Sequence, residues 1–329
     1  MSYSVRSQVQ EVIDSISPLL SQLENQRQEA IEKRSKGFMS IAGAGVVSFL
    51  VGGIIASASG EGGAGLITGV LLFVVSYVVV HNVFIGKYKA EYLRDYKLRV
   101  LSEVARKVQP GMEYQPSQGI SQSLFKSTGL VSSRIDRYHS EDLFTGHVGE
   151  TEVWFSEVKA ERKDTKRDSE GNTRTTWKTL FDGVFFMADF HKEFSTWATV
   201  TPDFAERNFG WLGKKLQKLG GDVVHLENPE FEKAFVVRGG DQVAVRYILT
   251  PDMQDRLLSL RAALGDSVML AFKDSKVVML FSTQSNWFEP DFGKASNDLG
   301  QLENFVLEMN ACCDVVEMMN LNTRIWTKE

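Results

Sequence analysis

Hydrophobic and polar residues are arranged in three different ways along the chain. Residues 5–36 carry apolar positions at helical intervals, residues 37–86 are almost entirely apolar, and residues 87–329 mix strand-like alternation with amphipathic helical patterns. This order predicts an α+β fold. We expect an N-terminal transmembrane helical hairpin with long cytoplasmic helical extensions, followed by a soluble domain rich in antiparallel sheet with packed helices.

The apolar region contains two uninterrupted runs, Phe38–Ala58 and Ala64–Ile85. Each is longer than the roughly 20 residues that a helix needs to cross a hydrocarbon core of about 30 Å. Between Lys36 and Lys87 the only formal charge is Glu61, which lies in the Ser-Gly-Glu-Gly-Gly turn that separates the runs. The pattern therefore predicts two antiparallel membrane spans joined by a tight turn.

Cations flank both predicted spans, whereas the connecting turn carries none. They are Arg27, Lys33, Arg34 and Lys36 before the first span, and Lys87, Lys89, Arg94, Lys97 and Arg99 after the second. Because the cytoplasmic flanks of membrane spans are enriched in Lys and Arg, both termini are predicted to lie in the cytoplasm. The charged region before the first span is too long for a signal peptide, so cleavage after Ala58 is not expected.

Small residues recur every four positions along the first predicted span. They are Ser40, Ala44, Ser48, Gly52 and Ala56, and Gly65 and Gly69 form a GxxxG pair near the start of the second span. Small side chains let membrane helices approach closely, so these residues are predicted to pack the hairpin on itself or on other copies of the chain. The segment Gly43–Ser48, with Glu61 downstream, also resembles a dinucleotide-binding loop. The helix that follows has no polar face, so that interpretation is rejected.

Helical patterns also flank the spans. Val5–Ile16 has the spacing of a short amphipathic helix, and Ser17 followed by Pro18 is typical of a second helix start. After the spans, tyrosines recur every four residues from Tyr88 to Tyr96, and this helical stalk ends at Pro110. The predicted organisation is N-terminal amphipathic helices (1–36), the transmembrane hairpin (37–86), a helical stalk (87–110) and a cytoplasmic α+β domain (111–329).

Strand patterns and turn residues dominate beyond Tyr114. Hairpins are predicted with turns at Gly149-Glu150, Gly239-Gly240-Asp241 and Asp274-Ser275, and further strands over Trp177–Phe190 and Trp197–Thr201. Thr250 followed by Pro251 predicts the start of a helix, and another amphipathic helix is predicted near the C-terminus. Its apolar face comprises Leu302, Phe305, Met309, Cys312 or Cys313, Val316 and Met319.

Three segments of this domain carry a resemblance to a known family. They are SLFKSTGL…DRYHSEDLFTG, LFDGVFFMADF and LENPEFEKAFVVRGGDQVAVRYILTP, placed after two apolar runs. In this combination the chain resembles the bacterial membrane family catalogued as domain of unknown function 3137. The resemblance implies a membrane-anchored cytoplasmic domain in the bacterial inner (cytoplasmic) membrane. It implies no activity, and no catalytic or binding residue is carried over from it.

The sequence holds no recognisable catalytic or cofactor motif. The five histidines form no HExxH or Cys/His zinc pattern, and no GxSxG, Walker or kinase signature is present. No catalytic, cofactor-binding or metal site is therefore predicted. The nearest cluster, His139 with Glu141 and Asp142, suits a strand or helix cap better than a metal site. The adjacent Cys312 and Cys313 are expected to be buried structural thiols.

Two basic segments are candidates for contact with a membrane surface or a partner. The first contains Arg162, Lys163, Lys166 and Arg167, but acidic residues are interspersed and aromatic residues are missing, so a solvated hairpin tip is favoured. The second contains Trp211, Lys214, Lys215 and Lys218, and a helix packed on the sheet with its lysines outward is favoured.

These features favour a membrane-anchored, non-enzymatic scaffold or sensor. It would oligomerise through the hairpin and stalk and present its α+β domain to a protein partner. The expected partners are the lipid bilayer, other copies of the chain and an unidentified protein. Nucleic acid is not expected because the net charge is −5. Two alternatives are an oligomeric membrane-permeabilising or ion-conducting assembly and an enzyme whose site combines scattered residues such as His139, Glu141, Asp142 and His191.

Overall fold

The computed structural model describes residues 3–59, 62–80, 86–167, 173–190, 192–203, 222–283 and 285–323. The chain forms two compact units. The first unit comprises residues 1–103 and 290–303, and the second comprises residues 104–289 and 304–329. Segment 290–303, which the sequence places inside the α+β domain, thus belongs to the helical unit.

The first unit is built from long helices. They are α1 (Tyr3–Ser59), α2 (Gly62–Val80) and α3 (Lys87–Tyr96), and a π-helical turn (Lys97–Leu101) continues α3 into α4 (Ser102–Val108). The helices on either side of the apolar region contact each other. Gln26 Nε2 donates to Asp95 Oδ2 over 3.1 Å and Arg99 Nη2 to Gln22 Oε1 over 2.9 Å, so α1 runs antiparallel to this part of the chain.

The predicted break at Ser17-Pro18 is wrong, because α1 passes through Pro18 without interruption. Pro18 has no N–H to donate to the helix carbonyl four residues earlier. Because Pro18 is exposed, water can bond to that carbonyl instead. A stripe of buried residues continues past it, so packing of this face outweighs the local helix-start signal. The stripe comprises Val9, Val12, Ile16, Leu20, Leu23 and Ala30.

The second unit contains an antiparallel sheet. Its nine described strands are β1 (Glu113–Gln115), β2 (Arg137–Val148), β3 (Thr151–Arg167), β4 (Thr173–Asp189), β5 (Ala198–Pro202), β6 (Asp222–Val223), β7 (Phe235–Gly239), β8 (Met269–Lys273) and β9 (Lys276–Ser282). They are arranged in the order β1-β2-β3-β4-β9-β8-β5-β7-β6. The turns predicted at Gly149-Glu150 and Asp274-Ser275 are confirmed, and φ angles of 52° and 57° at the latter pair suit a tight hairpin.

The hairpin predicted around Gly239-Gly240-Asp241 is wrong. Strand β7 ends at Gly239, and the following segment forms helix α7 (Gln242–Ile248). The Asp241 carboxylate accepts the Ala244 N–H at 2.7 Å and caps this helix. Val245 and Ile248, three residues apart, are buried, which is the helical spacing and not the alternation of a strand.

The other helices of this unit pack beside the sheet. They are α5 (Gln122–Ser127), α6 (Pro229–Ala234), α8 (Pro251–Leu264) and α9 (Leu299–Met318), of which α9 begins in the first unit. Thr250 caps α8 by accepting the Met253 N–H, as predicted. The predicted apolar face of α9 is buried along its whole length, including both cysteines. Phe125, Phe181, Phe185 and Leu280 lie in the core between α5 and the sheet.

Candidate functional site

Small residues of α1 and α2 allow the two helices to lie in close contact. A Cβ atom added to Gly69 would lie 3.0 Å from the backbone oxygen of Ser48 and 3.6 Å from the Cα of Gly52. A Cβ added to Gly45 would lie 3.1 Å from the ring of Phe73. Residues later in α1 therefore contact residues earlier in α2. The backbones therefore approach as closely as small residues allow, in an antiparallel arrangement.

The remaining residues of the small-residue stripe are less involved in this contact. Ser40 is exposed and donates its hydroxyl to Lys36 O, and Ala44 is half-buried. The side chain of Ala56, like residue Gly65, lies outside what the structure describes in detail. The structure thus brings together Ser48, Gly52 and Gly69 within one chain, and oligomerisation through the stripe stays a prediction.

The faces of α1 and α2 that point away from this contact are apolar and exposed. The exposed fraction reaches 75% for Phe49, 68% for Ile54 and 64% for Ile67. Other exposed members are Met39, Val46, Val47, Leu50, Val70, Leu71, Leu72, Val74, Val75, Tyr77 and Val78. Among the described residues, one helix, α1, contains a segment long and apolar enough to cross a membrane.

A partly buried ion pair joins α1 to segment 290–303. The Glu24 carboxylate accepts hydrogen bonds from Arg27 Nε at 2.9 Å, from Arg27 Nη2 at 2.7 Å and from the Ser296 N–H at 2.8 Å. Arg27 is 7% exposed, and its Nη1 donates to Phe292 O at 3.2 Å. We call this group, with the tyrosines of α3 described next, the clasp. Glu24 and Arg27, on one turn of α1, thus bond the segment at Ser296 and Phe292.

Two tyrosines complete the clasp from α3. The hydroxyl of Tyr92 lies 2.9 Å from Ser296 Oγ, and that of Tyr96 donates to Ser296 O at 3.1 Å. Gln301 Nε2 donates to the Tyr96 oxygen at 3.0 Å, and the Tyr92 ring meets that of Phe292 edge-on. Both tyrosines are fully buried, and each buried hydroxyl has a partner, so the segment is held by a connected network.

The electrostatics of the clasp favour the charged pair. The Arg27 hydrogen bond, aided by the Ser296 N–H, lowers the pKa of Glu24 to about 2, although burial acts in the opposite direction. Burial raises the pKa of both Tyr92 and Tyr96, so their hydroxyls stay protonated. At neutral pH the clasp is therefore a carboxylate–guanidinium pair surrounded by neutral donors.

The second unit contains one cluster of three carboxylates among the described residues. Oxygen atoms of Glu141, Asp142 and Glu157 lie within 4.8 Å of one another. Asp142 is fully buried, has a φ angle of 57° and accepts the hydroxyl proton of Tyr114. Glu157 accepts the Trp287 N–H at 2.5 Å. Oxygen ligands of this kind suit a hard cation such as Ca²⁺ or Mg²⁺, but each carboxylate already has a protein partner.

A fourth carboxyl group, Glu308 of α9, adjoins this cluster. Burial raises the pKa of Glu308 to about 7, the Phe288 N–H that it accepts at 2.7 Å partly offsets this, and the nearby charge of Asp142 adds to it. Burial and the same carboxylate also raise the pKa of Tyr114. Glu308 therefore changes protonation near neutral pH.

The sequence-based cluster around His139 is only partly brought together. His139 Nε2 lies 3.3 Å from Glu141 Oε1, while the Asp142 carboxylate accepts the hydroxyl proton of Tyr114. His191 lies outside the described residues. Local spacing did not reveal the contributions of Tyr114, Glu157 and Glu308, because these residues come from three separate elements.

The first basic segment forms part of strands β3 and β4. Arg162 is directly opposite Lys178, Lys163 opposite Trp177, and Lys166 opposite Arg174, and Arg167 ends β3. Arg162 donates two hydrogen bonds to Asp164, at 2.8 and 3.0 Å. The second basic segment, with Trp211, Lys214, Lys215 and Lys218, lies outside the described residues.

Comparison with known proteins supports the resemblance over part of the chain. Residues 179–321 match the model of a family described as protein of unknown function (DUF3137). This range extends from the second half of β4 to the end of α9 and includes segment 290–303. No curated protein and no solved structure matches the chain significantly.

Proposed function

We propose that this protein is a membrane-anchored oligomeric scaffold or sensor that presents its α+β domain to a protein partner in the cytoplasm. Residues 38–58 and 64–85 would be the two spans, and both termini would lie on the cytoplasmic side of a bacterial inner membrane. The proposal assigns no catalytic role to any residue.

The observation that carries the proposal is the apolar surface of α1 and α2. Large aliphatic and aromatic side chains are exposed in succession from Met39 to Ile54 and again from Ile67 to Val78. A contiguous apolar surface of this extent is rare on a soluble protein and marks a membrane or protein contact. Lipid covers such a surface without the need for a specific partner, and the lack of charge between Lys36 and Lys87, apart from Glu61, fits that environment.

The sensor role is supported by the clasp. Segment 290–303 follows β9 and leads into α9, and it is bonded to Glu24, Arg27 and two tyrosines of the helical unit. A shift of this segment breaks several hydrogen bonds at once, since they share Ser296. Binding of a partner that moves β9 or α9 would therefore shift the conformational equilibrium of the helices that leave the apolar region.

The membrane arrangement is tested by labelling single cysteines with a membrane-impermeant maleimide. Glu61→Cys is expected to react in intact spheroplasts, whereas Lys36→Cys, an exposed position on α1, is expected to react only after permeabilisation. The native Cys312 and Cys313 are buried and give little background. Labelling of both variants from the same side, or release of the protein by a carbonate wash, contradicts the proposal.

The oligomeric part of the proposal has its own test. Ser48, Gly52 and Gly69 are already used inside the chain, so copies would meet through other parts of the helices, such as the exposed Ser40 and half-buried Ala44. We expect detergent-solubilised protein to elute as an oligomer with light-scattering detection. A monomer at all concentrations contradicts oligomerisation and leaves the anchoring test unaffected.

A further inference from the structure

Strands β3 and β4 extend beyond the sheet as a two-stranded ribbon. In the described part of the chain, β3 pairs with β2 only up to Glu161, and β4 pairs with β9 only from Gly183 onward. Residues 162–167 and 173–178 therefore pair only with each other, and we call them the ribbon. Two-stranded ribbons are marginally stable by themselves, so every unfavourable pair within them matters.

One face of the ribbon carries two directly opposed pairs of like charge. Arg162 faces Lys178, and Lys166 faces Arg174. Opposed like charges destabilise an antiparallel pair because their Cβ atoms are only about 5 Å apart. Asp164 lies between the two pairs on the same face, and its pKa is lowered first by the Arg162 hydrogen bond and further by Lys178 and Lys166. The ribbon positions on this face carry four cations and one carboxylate, a sum of +3 in a chain whose net charge is −5, and the charge of Asp136 outside the ribbon also acts on Arg162.

We propose that this cationic face binds the headgroups of anionic lipids. The two pairs are four residues apart, about 13 Å along the strand, so the charges spread over a flat patch and do not converge on a pocket. A surface of fixed negative charge offsets the repulsion of both pairs at once. This step rests on the proposed function, because the membrane anchor keeps the ribbon on the side of the bilayer where anionic lipid attracts Lys and Arg.

A tryptophan lies on the opposite face of the ribbon, where Trp177 is paired with Lys163, and it is not part of the cationic face. Trp177 is 42% exposed, and the Arg137 guanidinium lies 3.9 Å above its ring. Asp168 and Glu170 follow in the sequence between the two strands, so the face of the ribbon, and not the connecting residues 168–172, is the proposed contact.

Amide hydrogen exchange of the full-length protein in nanodiscs tests the proposal. Exchange of ribbon amides is compared between phosphatidylcholine alone and a mixture with phosphatidylglycerol. Each Lys or Arg near an anionic surface strengthens attachment about fivefold. A net charge of +3 is therefore expected to slow exchange about 100-fold in the anionic discs, and high salt is expected to abolish the difference.

The variant Lys166→Gln/Arg174→Gln is expected to lose about 25-fold of this slowing. It removes one like-charge pair, so the ribbon in neutral discs should be no less protected than before, which separates lost binding from lost folding. The matched control Lys126→Gln/Lys273→Gln makes the same change in charge at two exposed positions outside the ribbon and is expected to keep the native ratio.

Several results would overturn the inference. If ribbon amides exchange equally in both lipids although the protein enters the nanodiscs, this inference is overturned and the proposed membrane anchor is unaffected. If the ribbon variant and the control lose the lipid-dependent slowing of exchange equally, the effect reflects only general charge attraction and the inference is overturned. Slowing by an added oligonucleotide, but not by phosphatidylglycerol, assigns the face to nucleic acid. A chain that enters neither kind of disc contradicts the membrane anchor and this inference with it.

Discussion

Ser296 donates its backbone N–H to Glu24 Oε2 across 2.8 Å, although 272 positions separate the two residues along the chain. Its side-chain hydroxyl and backbone oxygen meet Tyr92 and Tyr96 of α3. A single serine thus contacts α1 and α3 through three different polar atoms. This relationship makes segment 290–303 part of the helical unit, and it identifies the residues at which the attachment can be weakened.

The variant Glu24→Gln is expected to loosen this attachment. Arg27, which is 7% exposed, would keep its charge but lose the carboxylate that accepts two of its hydrogen bonds. Because the amide can still accept one bond, the expected loss is about 1–3 kcal/mol in the free energy of opening of segment 290–303. Hydrogen exchange of the amides of that segment, in detergent-solubilised full-length protein, measures it.

Glu29→Gln is the matched control for this experiment. Glu29 lies on the same helix and forms an exposed ion pair with Lys33 at 3.6 Å. Exposed pairs contribute little, so a change below about 0.5 kcal/mol is expected. If the two variants alter exchange of segment 290–303 equally, the Glu24–Arg27 pair does not hold it.

The attachment should weaken in acid. The pKa of Glu24 is lowered from 4.5 to about 2 in the folded protein, chiefly by the Arg27 hydrogen bond. The stabilisation from this pair is thus complete above about pH 4.5 and is lost as pH falls from there towards 2. Exchange of segment 290–303, corrected for its intrinsic pH dependence, should show more frequent opening at about pH 3 than at about pH 6. Glu24→Gln should flatten this dependence, and an unchanged slope in the variant would assign the effect to other groups.

The close approach of α1 and α2 predicts a large effect at Gly69. A leucine there would place its Cβ 3.0 Å from the Ser48 oxygen and its remaining atoms inside the helix contact. Separation of the helices should cost about 1–3 kcal/mol, measured as the thermal stability of the detergent-solubilised protein. Gly53→Leu is the matched control on α1, because nothing lies within 4 Å of a Cβ at that position. Equal stability of the two variants would show that α1 and α2 do not pack through Gly69.

Local signals were sufficient for much of the sheet and its neighbouring helices. The turns at Gly149-Glu150 and Asp274-Ser275 and the Thr250 cap depend on residues that lie next to one another in the sequence, and all three are confirmed. At α7 the alternation of Val243 and Val245 favoured a strand. In the structure Val243 is 77% exposed, so the alternation did not reflect burial.

Long-range contacts account for what the sequence did not reveal. Continuation of α1 through Pro18 depends on packing of the buried stripe around it, which a local helix-start signal does not contain. The clasp depends on Ser296 meeting Glu24, and neither residue belongs to a recognisable motif. In the ribbon, strand register decided which charges oppose each other. The sequence showed mixed charges, whereas pairing collects four cations on one face.

The carboxyl cluster of the second unit gives the last prediction. Burial raises the pKa of Glu308 from 4.5 to about 7, so the folded state binds this proton more tightly than the unfolded state does. The stability linked to this group is therefore complete below about pH 4.5 and is lost as pH rises towards 7. Glu308→Gln keeps an acceptor for the Phe288 N–H and removes the charge. The variant should match the native protein at about pH 5 and exceed its unfolding free energy by roughly 2–3 kcal/mol at about pH 8.

Thermal unfolding of the full-length protein at both pH values measures the difference. Glu317→Gln, at an exposed position on the same helix, controls for the loss of one negative charge and should follow the native protein. If the native pH dependence of the unfolding free energy persists in Glu308→Gln, Asp142 is the other group to substitute, because its charge helps to raise the pKa of Glu308. If the unfolding free energy of Glu308→Gln depends on pH as steeply as that of the native protein, Glu308 is ionised in the folded protein at neutral pH. The carboxyl cluster would then be more hydrated than its burial indicates.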